Sequence, residues 1–438
     1  MLSATLENGL EILVVERSEL PKVAVTLVTR AGSAADLPGK GGTAHLTVTT
    51  MDLGTMNRNA LEIENALGDL GTSVDGEVFQ ERSLLSFDVL ERNLAPAFAI
   101  FADVVRNPVF PEGEFEREKK RLLDMLAQEG TDPNALAWDR IGNMLIFGRD
   151  HPYGRPRRGL PSSVEGITRV DLAAFHRTYW RPGGSALIFV GDVTLSEAVK
   201  LAREQLGVWD GLSPEVPIPE PAPMDPRKVY VVDRQDAAQT VIAQILPGPP
   251  RRTEDHYLLQ VADAVWGGGF GTRLNLNLRE DKGYSYGVFS FPTHFSKFGM
   301  WMAVGGVQTD RTRESVVEFV AELKNLAGER PISEEELAHA KANRVRGYAQ
   351  NFEALRDVAT QVAELWTAGL PMTEFQRAVE ELGSAELALV NATAQKYALP
   401  EQARLLLVGD LSKMGGVLEL GLGELVVLDV EGRPVARN

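Results

Sequence analysis

The sequence predicts an α+β protein made of two homologous domains, and three observations lead there. A proline-rich stretch splits the chain nearly evenly, the two halves close on the same pattern, and each half opens with strand-like alternation before turning helical.

The divide is Ser213–Pro226, with six prolines in fourteen residues. Proline fixes φ and lacks an N–H, so such a run is a stiff extended connector, neither a helix nor a central strand. It sets expected domains at 1–212 and 228–438 around a linker at 213–227. The first half closes with Tyr179-Trp-Arg-Pro182, an apolar run Ala186–Val190 and Gly191-Asp192. The second closes with Tyr397-Ala-Leu-Pro400, Leu405–Val408 and Gly409-Asp410. One offset relates every matched residue, which a duplicated domain explains and chance does not. Strands are expected at Leu10–Val15, Val23–Leu27, Val229–Val232 and Thr240–Leu246 from their β-branched, period-two character. Helical spacing follows in Leu94, Phe98, Phe101 and Val105, and again in Val316, Phe319, Leu323 and Leu326. These stripes are expected to be core.

Composition narrows the function. A formal net charge of −16 argues against general nucleic-acid binding, which needs a basic surface. With no cysteine, thiolate metal sites, disulfides and cysteine nucleophiles are excluded, so a metal would need His, Asp or Glu. No run approaches the roughly 20 apolar residues of a membrane span. Met1–Asn8 has neither a basic nor an apolar signal region, so a soluble protein is expected, in cytoplasm or periplasm.

Two stretches carry candidate chemistry. The first is Gly42-Thr-Ala-His45-Leu-Thr-Val48-Thr49, with Gly54-Thr55 beyond it. The second is Gly267-Gly-Gly-Phe-Gly-Thr-Arg, running into Leu278-Arg279-Glu-Asp-Lys-Gly-Tyr-Ser-Tyr286. Its glycines follow a helix (His256–Trp266) and lack a Gly-Lys-Ser/Thr ending, which speaks against a phosphate loop. They are expected to permit a turn with positive φ and close approach of another chain.

Both stretches resemble the M16 peptidase family (pitrilysin-like, mitochondrial-processing-peptidase-like), as do Glu7-Asn-Gly-Leu10, Val105–Phe110, His151-Pro-Tyr-Gly154, Ile167–Leu172 and Gly191-Asp192. The resemblance implies two α/β-roll domains of the LuxS/MPP-like metallohydrolase fold. It also implies an HxxEH motif, in which two histidines one helical turn apart bind zinc and the glutamate acts as general base. Here His45 stands at the first position, Val48 at the glutamate and Thr49 at the second histidine, so the motif is degenerate. The resemblance also implies a third zinc ligand, a glutamate on a downstream helix, and its position is held by Met125, beside Asp124. Valine cannot take a proton, and a neutral threonine hydroxyl is a poor zinc ligand. In the second stretch Arg279 and Tyr286 match an Arg/Tyr pair that the resemblance assigns to substrate backbone. A guanidinium and a phenol can both donate to peptide carbonyls. From the residues alone, an arginine paired with a nearby glutamate and a tyrosine capping a strand is the plainer reading.

The resemblance thus implies a non-catalytic, substrate-binding subunit of a heterodimeric zinc endopeptidase, with no cofactor of its own. Zinc and the general base would come from a catalytic M16 partner with intact HxxEH, and the substrates would be peptides. The alternative is a scaffold like the core subunits of the bc1 complex, with no role in proteolysis. A stand-alone enzyme of other chemistry finds no nucleophile–base or metal constellation. His151, His176, His256, His294 and His339 are read as scattered, and Arg155-Pro-Arg-Arg158 as a solvated loop. Glu334–Glu336 is read as the acidic first turn of a helix capped by Ser333.

Overall fold

A computed structural model describes residues 1–223 and 228–436; the expected linker 213–227 falls partly outside them. Residues 214–223 form neither helix nor strand. The chain divides into two compact units, and neither is contiguous. The first comprises Met1–Leu126, Arg157–Ile218 and Ala349–Glu374; the second comprises Ala127–Pro156, Pro219–Tyr348 and Phe375–Asn438. Each half of the sequence therefore lends one segment to the other's unit, so the boundaries 1–212 and 228–438 do not coincide with these units.

The first unit holds strands β1 (Leu2–Thr5), β2 (Glu11–Glu16), β3 (Lys22–Thr29), β4 (Asp75–Val78), β5 (Ser83–Leu90) and β6 (Ser185–Gly191). They form one sheet in the order β1-β2-β6-β3-β5-β4. The second unit holds β7 (Lys228–Asp233), β8 (Gln239–Gly248), β9 (Ser285–His294), β10 (Gly299–Gln308), β11 (Arg404–Gly409) and β12 (Glu424–Leu428). Their order is β12-β7-β11-β8-β10-β9. Five strands correspond one to one: β2 runs parallel to β6 as β7 does to β11, and the remaining neighbours are antiparallel in both. Only the sixth strand differs. β1 precedes and opposes β2, whereas β12 follows in sequence and runs parallel to β7. Duplication of an α+β domain is thus written in the topology itself.

The central strands are buried on both faces. β6 and β11 are buried throughout, as continuous apolar runs require when both sides of a sheet are covered. β3, whose Val23–Leu27 run alternates, is nonetheless buried from Val23 to Thr29. The lent segments explain this. Helix Leu355–Thr367 packs against β3 and β6, burying Val358, Ala359, Val362, Ala363 and Trp366. Arg30 lies over the Trp366 ring at 4.0 Å, and Arg356 bonds Asp75 and Asp88. In the second unit, helix Gly142–Phe147 packs against β8 and β11, and Trp138 stacks on Phe291 at 4.3 Å.

Candidate functional site

In the first unit the degenerate motif lies on helix Thr43–Thr50. Asp36 caps its start, accepting from the Gly42 and Ala44 N–H groups at 2.7 and 2.8 Å. Val48 is buried, with Gly76 of β4 against its side chain. The Thr49 hydroxyl donates to the His45 carbonyl at 3.0 Å, one turn back, as threonine does inside a helix. His45 is half-buried, and its pKa is lowered to about 4, by burial first and then by Arg158, Arg121 and Arg157. The imidazole is therefore neutral at pH 7, and the charges that bear on it are cationic. Downstream, Met125 is half-buried, while the exposed Asp124 pairs with Lys120. Among the described residues, no three His, Asp or Glu side chains are grouped closely enough to hold a metal ion. Zinc does not fit these side chains: one lone imidazole among arginines meets a hydrocarbon and a hydroxyl already committed to its own helix.

Three structural features of this unit escaped the sequence reading. Asp52, just past the helix, has its carboxyl pushed up to about 6 by burial, with Glu118 and Asp75 adding repulsion. Glu118 is itself buried and pairs with Arg117 and Arg121. Arg157 and Arg158 lie in a loop, as expected, but are half-buried and not fully solvated. The segment folds back on the motif helix: the Ser163 hydroxyl donates to the Gly41 carbonyl at 2.8 Å, and the Arg158 backbone abuts Gly42.

In the second unit, helix His256–Trp266 leads into the glycine loop, then a helical run through Arg273–Asn275 and Leu276–Asp281, then β9. None of Gly267, Gly268, Gly269 or Gly271 has positive φ, which corrects the turn expected there. Closeness instead requires glycine at two of the four positions, Gly267 and Gly268. A Cβ on Gly267 would sit 2.7 Å from the Ser290 hydroxyl, and one on Gly268 would sit 2.7 Å from the Arg344 guanidinium. The positive φ falls later, at Gly283, where the chain doubles back into β9.

That reversal brings Arg279 and Tyr286 together. The Arg279 guanidinium carbon lies 5.6 Å from the Tyr286 ring centre and 4.9 Å from that of Phe270 on the loop. Arg279 also pairs with Glu280 at 3.4 Å, so the plain ion pair considered from sequence is present too. Tyr286 is the extra residue of a β-bulge: Gly287 pairs with Gly306 and Ser285 with Val307, leaving Tyr286 without a partner. The Ser285 hydroxyl holds the bulge, donating to the Gly306 carbonyl at 2.7 Å and accepting from the Gly287 N–H at 3.1 Å. Bulges re-aim side chains. Tyr286 is 84% exposed, and Phe270, at 57%, packs edge-on to Phe289. Arg273, nearby in sequence, is the opposite case. It is buried and doubly bonded to Glu336 at 2.7 Å, and it holds that carboxyl down to about 2 against the effect of burial, together with bonds from Ser333.

The remaining histidines are not all scattered. His256 and His294 meet edge-on at 4.6 Å in the second unit, and burial lowers them to about 2 and about 4.

Comparison with known proteins decides the family. Residues 12–142 match the family model of insulinase (peptidase family M16), and residues 166–344 match that of the peptidase M16 inactive domain. The chain belongs to peptidase family M16. Among its M16 relatives is an uncharacterized zinc protease of Rickettsia bellii, 26% identical over 77% of this chain and 80% of that protein. Another, from Mycobacterium leprae, is 28% identical over 77% and 76%. The M16 fold is matched by the crystal structure of a peptidase M16 inactive domain from Pseudomonas fluorescens, with a TM-score of 0.86 and 23% identity, covering 93% of this chain and 97% of that one. A chain of Complex III2 from Candida albicans matches with a TM-score of 0.79 and 16% identity, over 95% and 97%. Among the described residues no helix is long and apolar enough to cross a membrane.

Proposed function

We propose that this M16 chain is the non-catalytic, substrate-binding subunit of a heterodimeric zinc endopeptidase. One feature above all supports the reading. Tyr286 stands out on a bulge beside Arg279, both donors reachable by solvent, on a surface that a purely structural strand would have no reason to build. Arg279 would donate to peptide carbonyls, and the Tyr286 hydroxyl would donate to a carbonyl or to the negative charge growing on it. Exposed Phe270 and Phe289 would lie along the same peptide. The motif helix supports the other half of the reading. With Val48 and Thr49 in place of a carboxylate and an imidazole, and arginines around His45, the motif helix offers no carboxylate base to activate water. A partner of the same family with intact HxxEH would supply zinc, which polarises the scissile carbonyl and acidifies a bound water.

The test is reconstitution. Alone, the purified chain should contain no stoichiometric zinc and cleave no peptide; mixed with an M16 partner, cleavage should begin. Arg279→Ala or Tyr286→Phe should then slow cleavage while leaving the heterodimer intact on gel filtration. Zinc-dependent turnover by the isolated chain would overturn the proposal. Full turnover by both variants would favour a scaffold role of the kind the Complex III likeness allows.

A further inference from the structure

We infer that Asn275 is the positioning residue of the peptide-binding pair, joining the elements that carry Arg279, Phe270 and Tyr286. The inference rests on the peptide-binding reading of Arg279 and Tyr286. Asn275 is fully buried, one helical turn before Arg279 on the same run. Its amide NH2 donates to the Gly269 carbonyl at 2.8 Å and to the Val288 carbonyl at 2.6 Å, and its amide oxygen accepts from the Val288 N–H at 2.9 Å. One side chain thus ties the helical run to the glycine loop next to Phe270 and to β9 two residues after Tyr286.

The location explains why an amide is needed. β9 is the last strand of its sheet, so its outer N–H and C=O groups face no further strand. Asn275 takes the place of that strand at Val288, and the Gly267 carbonyl does so at Ser290, accepting its N–H at 2.8 Å. The partners also fix the amide's orientation: Val288 N–H can meet only the oxygen, and the two carbonyls only the NH2. Asp offers no donor and Ala nothing. Asp263 secures the other end of the loop. Its carboxylate accepts from the Ser290 hydroxyl at 2.6 Å, the Trp301 indole at 2.8 Å and Arg344 at 2.6 Å, while its backbone carbonyl accepts from Gly268 N–H at 2.8 Å. Asp263 anchors the loop to the sheet, and Asn275 connects both to the run that bears Arg279.

The experiment compares Asn275→Ala and Asn275→Ser with Val265→Ala, a buried control on the preceding helix. Two readouts are taken on the full chain: hydrogen–deuterium exchange of residues 283–290, and affinity for a fluorescein-labelled unstructured peptide containing Phe, Leu and Arg. Asn275→Ala should speed exchange of the segment and weaken the peptide by roughly tenfold or more, the loss of one well-made buried hydrogen bond or more. Asn275→Ser, which keeps a single donor, should fall between it and the parent, so a poorly folded alanine variant still leaves a readable series. Val265→Ala should weaken the protein to unfolding yet keep its affinity. Unchanged exchange in both Asn275 variants, or equal loss of affinity in Val265→Ala, would overturn the inference. If Arg279→Ala binds the peptide as well as the parent does, the peptide-binding reading fails instead, and the exchange arm still decides whether Asn275 holds the strand.

Discussion

His176 offers a direct test of how burial governs this protein's response to acid. It sits on helix Arg169–Tyr179, with Nε2 at 2.8 Å from the Val105 carbonyl and Phe110 and Trp180 around the ring. Burial lowers its pKa from 6.5 to about 4, against the raising effect of that hydrogen bond. Between those values the unfolded chain holds a proton that the folded chain refuses. Stability contributed by the neutral ring is therefore complete above pH 6.5 and is lost as pH falls toward 4. At roughly 1.4 kcal/mol per tenfold change in proton affinity, the loss reaches about 3 kcal/mol. That is a large share of the roughly 5–15 kcal/mol that holds a domain together. His45 and His294 add losses of the same sign, whereas Asp52 and Asp263, whose carboxyls are raised by burial, oppose them. The perturbation is His176→Gln, which keeps a donor for Val105 and cannot take up a proton. Urea unfolding followed by tryptophan fluorescence at pH 7, 6, 5 and 4.5 should show a shallower decline in the variant, with the gap approaching about 3 kcal/mol at the acid end. Parallel profiles for the two proteins would refute the claim that buried neutral His176 contributes to the decline.

Three further substitutions separate packing, charge and surface. Gly76→Ala places a Cβ 2.3 Å from a Val48 methyl, so it should cost about 1–3 kcal/mol by overpacking, and Val48→Ala should restore most of it in the double variant. Thermal melts of the three variants check this. Arg273→Ala removes a buried guanidinium that bonds Glu336 twice and the Arg330 carbonyl once; a loss of about 3–5 kcal/mol is expected in denaturant titration, far more than for Arg279→Ala. Phe270→Ala, at an exposed position, should leave stability within about 0.5 kcal/mol yet weaken binding of aromatic peptides in fluorescence anisotropy.

Much of the fold was legible because it is written locally. The strands expected at Leu10–Val15, Val23–Leu27, Thr240–Leu246 and Leu405–Val408 all lie on or within a residue of β2, β3, β8 and β11. The helix His256–Trp266 has the expected ends, and Ser333 caps Glu334–Tyr348, accepting from Glu336 N–H at 3.2 Å. Alternation marked β3 as a strand but said nothing of its burial on both faces, since a pattern along one strand cannot reveal a helix arriving from more than three hundred residues away. At the site, the pairing of Arg279 with Tyr286 followed from the family resemblance, but the bulge that exposes Tyr286 did not. Asn275 gave no signal at all, because a buried asparagine and a surface one look alike until the backbone groups around them are known.

By itself, the sequence determined the duplication, the sheet-and-helix character of each half, and the side chains standing at the motif positions. Residue identity is local: a valine carries no carboxylate in any fold. Tertiary structure alone decided that each unit borrows a segment from the other half, that arginines surround His45, and that one buried amide joins loop, strand and helix. These depend on which distant groups meet, and burial and hydrogen bonding acquire their strength only once those groups have left water.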